Sequence, residues 1–177
     1  MEFKYKDLEL YKQMHKNAPS YGATGGRYIH RVIEHIEKYK PETILDFGCG
    51  KGCLKNALKM KQLEIDEYDP AIKGKEKILK DKYDLIITTD VLEHLYEEEI
   101  EQVCKEFLSL SPETMFHVIC TRKADALLPD GSNAHKTVKP IEWWKQKMES
   151  YLNYRALVVK NPADINQTET SIMVLIK

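Results

Sequence analysis

An aspartate followed by three alternating glycines is the segment whose residue types most directly suggest chemistry, in the run Ile44-Leu45-Asp46-Phe47-Gly48-Cys49-Gly50-Lys51-Gly52. Alternating glycines permit backbone geometries closed to other residues and let a ligand approach the main chain closely. Dinucleotide-binding enzymes instead space their glycines as G-x-G-x-x-G, and a carboxylate at Asp46 would repel a pyrophosphate. The run therefore favours a cationic ligand such as an ammonium or a sulfonium. A tight strand-to-helix turn without a ligand is the alternative.

Three motifs in order resemble those of the class I S-adenosylmethionine-dependent methyltransferases. Asp46-x-Gly48-x-Gly50-x-Gly52 resembles the first motif of that family, and Asp69, 23 positions later and followed by Pro70, is similar to the acidic residue that ends its second strand. The run from Tyr83 to His94 (Tyr-Asp-Leu-Ile-Ile-Thr-Thr-Asp-Val-Leu-Glu-His) is similar to the motif of its fourth strand. The resemblance spans residues 44–121 and implies S-adenosylmethionine as the cofactor.

The resemblance also implies roles for single residues at the cofactor. Near its methionine and ribose portions it places Asp46, Gly48, Gly50, Gly52, Asp90 and Leu92. Asp46 would meet the ammonium group directly or through water. Asp69 would accept hydrogen bonds from both ribose hydroxyls, which a charged carboxylate does better than a neutral group. An ordinary turn aspartate is the alternative for Asp69, and Glu67 would then bind the ribose.

Two histidines are candidates for the general base of methyl transfer. The reaction is an in-line displacement at a sulfonium-bound carbon, so the enzyme aligns the acceptor and removes its proton where needed. His94 lies just after the fourth strand and His135 in the polar loop after the fifth, so on this fold both would lie near the methyl group. Neutral imidazole suits a base near pH 7. Each could instead be a histidine without a chemical role.

Strands and helices alternate along the chain, which predicts an α/β fold. Apolar runs predict strands near residues 43–47, 62–68, 84–89 and 115–121, with helices between most of them. We expect a three-layer sandwich with a mostly parallel, doubly wound sheet. The last two strands, near 155–159 and 172–176, have no obvious helix between them and predict an antiparallel last strand. The third-strand region of the family is shortened here to the 13 residues from Pro70 to Lys82.

We expect an N-terminal arm or lid over residues 1–26 and a single methyltransferase domain over residues 27–177. Ile29, Val32, Ile33 and Ile36 recur at helical spacing, and the helix should stop near residue 39 because of the proline at 41. The glycine-rich segment 21–27 is predicted either to cover the cofactor, with Arg27 reaching the methionine carboxylate, or to be a plain loop.

Composition excludes several classes of function. The 177 residues carry 27 basic and 28 acidic side chains, so no overall field attracts nucleic acid or a membrane. The N-terminus has no apolar signal core, and four cysteines lack a disulfide pattern, which together predict a reducing, cytoplasmic location. Cys49 and Cys53 could form half of a metal site, but no second Cys or His pair completes it, so we predict no metal.

The acceptor is expected to be a small molecule, methylated at oxygen or nitrogen. Asp90-Val91-Leu92-Glu93 stands where enzymes acting on base amines carry Asn/Asp-Pro-Pro-Tyr/Phe, and there is no Pro-Cys motif for cytosine C5 methylation. A nucleic acid or nucleotide acceptor and a non-catalytic cofactor-binding module remain alternatives. A nicotinamide-dependent oxidoreductase is disfavoured by the glycine spacing.

Overall fold

Six strands form one mixed sheet in the computed structural model, which describes residues 5–159 and 170–177. The strands are β1 (Ile44–Phe47), β2 (Asp66–Tyr68), β3 (Leu85–Thr89), β4 (Thr114–Cys120), β5 (Arg155–Val159) and β6 (Thr170–Ile176). Their order across the sheet is β2-β1-β3-β4-β6-β5. The first four are parallel, whereas β6 runs antiparallel to both β4 and β5. The predicted antiparallel last strand is thus confirmed.

Helices cover both faces of the sheet and make the predicted three layers. They are α1 (Leu8–Asn17), α2 (Ile29–Tyr39), α3 (Cys53–Lys59), α4 (Glu97–Ser109) and α5 (Ile141–Leu152). Along β3, Leu85 and Ile87 pack in the core beneath α2 and α3, and Ile86 packs in the core beneath α4 and α5. All five residues of β3 are buried, as expected of a central parallel strand with helices on both faces.

Local sequence explains where two of these helices begin and end. Helix α2 ends at Tyr39 because Lys40 turns into the left-handed region, at φ 51°, ahead of Pro41. At the start of α4, the Tyr96 N–H donates to the Glu99 carboxylate at 2.8 Å. Glu97, Glu98 and Glu99 form the first turn of this helix, where the helix dipole favours negative charge.

The shortened region between β2 and β3 contains neither a helix nor a strand. Two lysines of this region fold back onto the acidic side chains of β2, because Lys75 pairs with Glu67 and Lys80 pairs with Asp66. Strand β2 is therefore an edge of the sheet in the described structure, and ion pairs cover its exposed side. The connection between β5 and β6 (160–169) and the first four residues of the predicted arm lie outside the described residues.

Candidate functional site

A cavity of about 390 Å³ lies at the carboxyl ends of β1, β3 and β4. These strands are parallel, so Phe47, Thr89 and Cys120 end at the same edge of the sheet, and the loops that follow them form the walls. Open α/β sheets bind ligands at this edge. Helix α1, the segment 20–28 and residues 69–71 after β2 also line the cavity.

The glycine turn after β1 has a geometry that side chains would prevent. Gly50 has φ 51°, and a Cβ there would lie 2.4 Å from the carbonyl oxygen of Gly22. Gly48 has φ 77°, and its Cβ would meet Val91 at 2.5 Å. Lys51 N–H donates to the Gly22 carbonyl at 2.8 Å, which joins the N-terminal segment to the turn. The glycines are thus needed by the fold, and two of them also line the cavity.

Asp69 connects the end of β2 to the glycine turn. Its two carboxylate oxygens accept the N–H groups of Gly50 and Ala71, both at 2.9 Å. The residue is buried but lines the cavity. Each carboxylate oxygen has a second lone pair, so Asp69 can still accept a hydrogen bond from a ligand. Glu67 is instead engaged by Lys75 and Lys55 at 2.9 and 3.4 Å and does not line the described cavity.

Asp46 lies in β1 and is 1% exposed. Its Oδ1 atom is buried without a hydrogen-bond partner in the described structure. Burial, reinforced by the nearby Glu67, raises the pKa of Asp46 to about 8, although Lys75 opposes the shift. A buried carboxyl without a partner is a cost to the ligand-free protein that a cationic ligand would remove.

Asp90 turns the chain sharply where β3 ends. Its φ is 55°, a conformation that aspartate tolerates better than most residues. Burial raises the pKa of Asp90, whereas a hydrogen bond with Thr24 and the charges of Arg27 and His135 lower it. Asp90 and Arg27 both line the cavity, so the loop after β3 and the N-terminal segment meet there with opposite charges.

His94 and His135 lie together on one side of the cavity, with ring centroids 4.7 Å apart and perpendicular planes. The Nδ1 atom of His94 donates to the Ala134 carbonyl at 2.8 Å, and that of His135 donates to the Arg122 carbonyl at 2.7 Å. In these tautomers the Nε2 atom of each ring carries the lone pair. Burial, with a smaller effect of His135, lowers the pKa of His94 to about 3. Burial also lowers the pKa of His135, although Asp90 opposes this.

Tyrosines that the sequence analysis did not select contribute much of the wall, namely Tyr5, Tyr11, Tyr21 and Tyr28. Tyr11 has its hydroxyl 2.9 Å from the carbonyls of His94 and Ala134, and so holds α1 against the two histidine-bearing loops. Leu8, Tyr11 and His15 are spaced by three and four residues and form the face of α1 that lines the cavity. This helical spacing is the sequence signal that could have identified α1 as a wall of the cavity.

Seven of the residues expected from the sequence line the cavity: Arg27, Gly48, Gly50, Asp69, Asp90, His94 and His135. Asp46, Gly52 and Leu92 do not line it in the part of the chain that the structure describes. Leu92 is fully buried in the core with α4 and α5, and a Cβ on Gly52 would contact Glu67. Ligand roles for all ten remain predictions.

None of the described helices combines the length and the apolar character needed to cross a bilayer.

A family model described as a methyltransferase domain matches residues 21–152, about three quarters of the chain. The match begins at the segment that covers the glycine turn and ends with α5. No curated protein matches the sequence significantly.

Solved structures share the fold at low identity. A provisionally assigned O-methyltransferase from Nostoc punctiforme is 14% identical with a TM-score of 0.64, and the match covers 94% of this chain but 60% of that one. The 1,6-didemethyltoxoflavin-N1-methyltransferase of Burkholderia thailandensis, solved with bound 1,6-didemethyltoxoflavin and S-adenosylhomocysteine, is 11% identical, with a TM-score of 0.65. The match covers 100% of this chain and 92% of that one. The small RNA methyltransferase HEN1 is 14% identical, with a TM-score of 0.63 and coverage of 85% and 25%.

The family match, the strand order and the cavity at the carboxyl ends of the parallel strands agree with the resemblance carried by the three sequence motifs. The chain therefore belongs to the methyltransferase-domain family, as a class I, S-adenosylmethionine-dependent enzyme.

Proposed function

We propose that this enzyme methylates an oxygen or nitrogen atom of a small, uncharged or cationic acceptor. The observation that carries the proposal is the charge of the cavity wall, and the aromatic side chains that line the cavity support it. Among the described residues its wall includes five carboxylates (Asp7, Asp69, Asp90, Glu99 and Asp125) and two guanidinium groups (Arg27 and Arg122). Asp7 pairs with Lys136, and Asp125 pairs with Arg122. The remaining charges are predominantly negative and would repel a polyanion.

The residues that we assign to the cofactor fit S-adenosylmethionine. The buried, partnerless Oδ1 of Asp46 lies beneath the glycine turn and suits an ammonium group, directly or through water. Asp69 offers acceptor lone pairs to ribose hydroxyls, and Arg27 is available to a carboxylate. When bound, the cofactor supplies an electrophilic methyl group on a sulfonium.

The part of the cavity that we assign to the acceptor is lined by α1 and by aromatic rings. Tyr11, Tyr21 and His94 pack edge to face, with ring centroids 5.6 Å (Tyr11–His94) and 6.3 Å (Tyr21–His94) apart. Such a wall orients a small planar or apolar acceptor and excludes water from the reacting groups. A wall of aromatic side chains supports a small planar or apolar acceptor over a polyanionic polymer.

His135 or His94 acts as the general base in this proposal. Each ring has Nδ1 fixed as a donor to a backbone carbonyl, so Nε2 is the atom that takes the acceptor proton. The carboxylate of Asp90 favours the protonated form of His135. Burial lowers the pKa of His94 to about 3, which makes its imidazole a weak base, so His135 is the preferred assignment.

The test is S-adenosylhomocysteine release with two acceptor panels, one of small uncharged and cationic alcohols, phenols and amines, the other of short RNA and DNA oligonucleotides. We expect turnover with the first panel only. His135→Ala should then lower kcat by about 10²–10⁴-fold, the usual contribution of a general base, with S-adenosylhomocysteine affinity unchanged. Turnover on oligonucleotides alone would assign the enzyme to the alternative class, nucleic acid methylation.

We also propose a cytoplasmic location, supported by the four cysteines, all of which are free thiols. The test is the redox state of these thiols in fractionated cells, which we expect to be reduced in the cytoplasmic fraction.

A further inference from the structure

Three side chains with metal-binding atoms converge at the acceptor end of the cavity. Glu93, Cys120 and His135 each place one ligand atom within 4.8 Å of the other two. They come from three separate segments: the loop after β3, the end of β4, and the loop that follows β4. We propose that these residues bind a divalent cation of the zinc type, with an open coordination position facing the cavity.

Glu93 is the strongest indication of a missing partner. It is 0% exposed, and its Oε1 accepts the backbone N–H of Cys120 at 2.9 Å. Its Oε2 atom is buried and has no hydrogen-bond partner in the described structure. Leaving a carboxylate oxygen in this state is costly unless a cation or a donor compensates it. A cation between Glu93 and the two other side chains would do so.

His135 has the orientation that metal-binding histidines usually have. Its Nδ1–H donates to the Arg122 carbonyl at 2.7 Å, which fixes the ring and leaves the Nε2 lone pair available. Metal-bound histidines almost always donate their second ring nitrogen in this way, and the hydrogen bond raises the basicity of the ligating atom. The backbone N–H of His135 is held in turn by Asn133 at 3.0 Å.

The ligand types select the ion. A thiol, an imidazole and a carboxylate together suit zinc and its neighbours, whereas magnesium prefers oxygen ligands alone. Tetrahedral zinc, with bonds of about 2.0–2.3 Å, keeps its ligand atoms about 3.3–3.8 Å apart. The ligand atoms lie within 4.8 Å of one another, so metal binding would draw them together by at most about 1–1.5 Å, through small rotations of the three side chains.

The fourth coordination position would be directed at the cavity. Cys120 and His135 line the cavity, and Asp90 lies beside them. Three protein ligands with one open position are typical of catalytic zinc sites. That position would take water or one heteroatom of the acceptor. An Nε2 atom that binds a cation cannot accept a proton, so in the metal-bound enzyme His94 would replace His135 as the general base. The loss of turnover expected for His135→Ala would then report loss of the metal.

The spacing of the three residues along the chain does not indicate this site. The intervals between the three residues are 27 and 15 positions, and only the parallel pairing of β3 with β4 brings Glu93 to Cys120. Cys49 and Cys53, which the sequence offered as half of a metal site, are not part of the cluster.

The experiment is a titration of the chelator-treated full chain with Co²⁺, followed by its visible absorption, with Zn²⁺ as competitor. We expect one equivalent of Co²⁺ in a tetrahedral environment with a thiolate-to-cobalt charge-transfer band, displaced by Zn²⁺ and not by Mg²⁺. Cys120→Ser should abolish the charge-transfer band, and His135→Gln should weaken Co²⁺ binding at least tenfold. Cys53→Ser and the exposed His30→Ala are matched controls that should leave both unchanged.

Absence of stoichiometric binding would overturn the inference, as would a band that survives Cys120→Ser or is lost in Cys53→Ser. If Cys120→Ser fails to fold, His135→Gln in the loop decides alone, and unchanged Co²⁺ affinity then refutes the site. Methyl transfer is a separate measurement. Cobalt binding without turnover would uphold the metal site and count against the proposed function, whereas turnover by a protein that binds no Co²⁺ would do the reverse.

Discussion

Asp69 is the residue for which the structure gives the sharpest prediction. We expect Asp69→Asn to weaken S-adenosylhomocysteine binding about 10- to 150-fold. The carboxylate would accept both ribose hydroxyls, and the amide of asparagine retains one acceptor oxygen. One lost hydrogen bond to a charged group corresponds to about 1.5–3 kcal/mol, and each 1.4 kcal/mol is about tenfold in Kd.

The alanine variant should behave differently, because Asp69 also holds the protein's own backbone. Its oxygens accept the N–H groups of Gly50 and Ala71 at 2.9 Å. Leaving both donors without a partner should lower the free energy of unfolding by about 2–4 kcal/mol. For a domain of this size the corresponding fall in Tm is roughly 5–15 °C. Thermal unfolding without ligand therefore separates this structural cost from the loss of ribose contacts.

The assay is isothermal titration of each variant with S-adenosylhomocysteine, and the chain offers two comparisons. Asp66→Asn, on the strand β2 that directly precedes Asp69, removes a carboxylate that accepts from the Tyr83 hydroxyl outside the cavity, and should leave Kd unchanged. Glu67→Gln tests the other ribose ligand considered from the sequence. The reasoning would be refuted if the Kd of Asp69→Asn lay within twofold of the wild-type Kd, or if Glu67→Gln lost as much affinity for S-adenosylhomocysteine.

Three further predictions concern the turn, the core carboxyl and the N-terminal helix. Asp46, whose pKa is raised to about 8, binds a proton in the folded state that the unfolded chain releases near pH 4, so stability should fall as pH rises through this window. Asp46→Asn should remove up to about 1.4 kcal/mol per pH unit of that slope in chemical denaturation, and an unchanged slope between pH 5 and 7 would contradict it. Gly50→Ala should abolish S-adenosylhomocysteine binding in calorimetry, because its Cβ would lie 2.4 Å from the Gly22 carbonyl oxygen in a positive-φ backbone; normal affinity would show that the turn can rearrange. Tyr11→Phe should lower the unfolding free energy by about 0.5–1.5 kcal/mol and speed proteolysis within α1. A proteolysis rate equal to that of the wild type would mean that the hydrogen bonds of the Tyr11 hydroxyl to His94 and Ala134 do not anchor the helix.

Much of the fold could be predicted because its signals are local. The apolar runs of β1, β3 and β4 are short and bounded by turn residues, and the amphipathic pattern of α2 ends at a left-handed residue before proline. Gly48, Gly50 and Gly52 all have positive φ, a conformation that glycine adopts readily, and their alternating spacing is visible in the sequence. The sequence shows the shortening of the third-strand region as a reduced number of residues, and the structure has neither a helix nor a strand there.

Most of the predicted residues that line the cavity belong to one of the three motifs, whereas Arg27 and His135 lie outside them. Asp69 and Asp90 follow strands directly, so the parallel sheet brings them to one edge. The position of Asp46 under the turn, rather than in the cavity wall, depends on which face of β1 its side chain occupies. The burial of Leu92 in the core was likewise not readable from its place in the motif.

The sequence by itself determined the family, the alternation of strands and helices and the glycine turn, because each depends on residues close together in the chain. Only the tertiary structure decided that α1 closes the cavity through Tyr11, and that Glu93, Cys120 and His135 converge. Those contacts join segments far apart in sequence, so the spacing of the residues along the chain does not predict them. They arise because parallel strands align their carboxyl ends and so bring separate loops to one edge of the sheet.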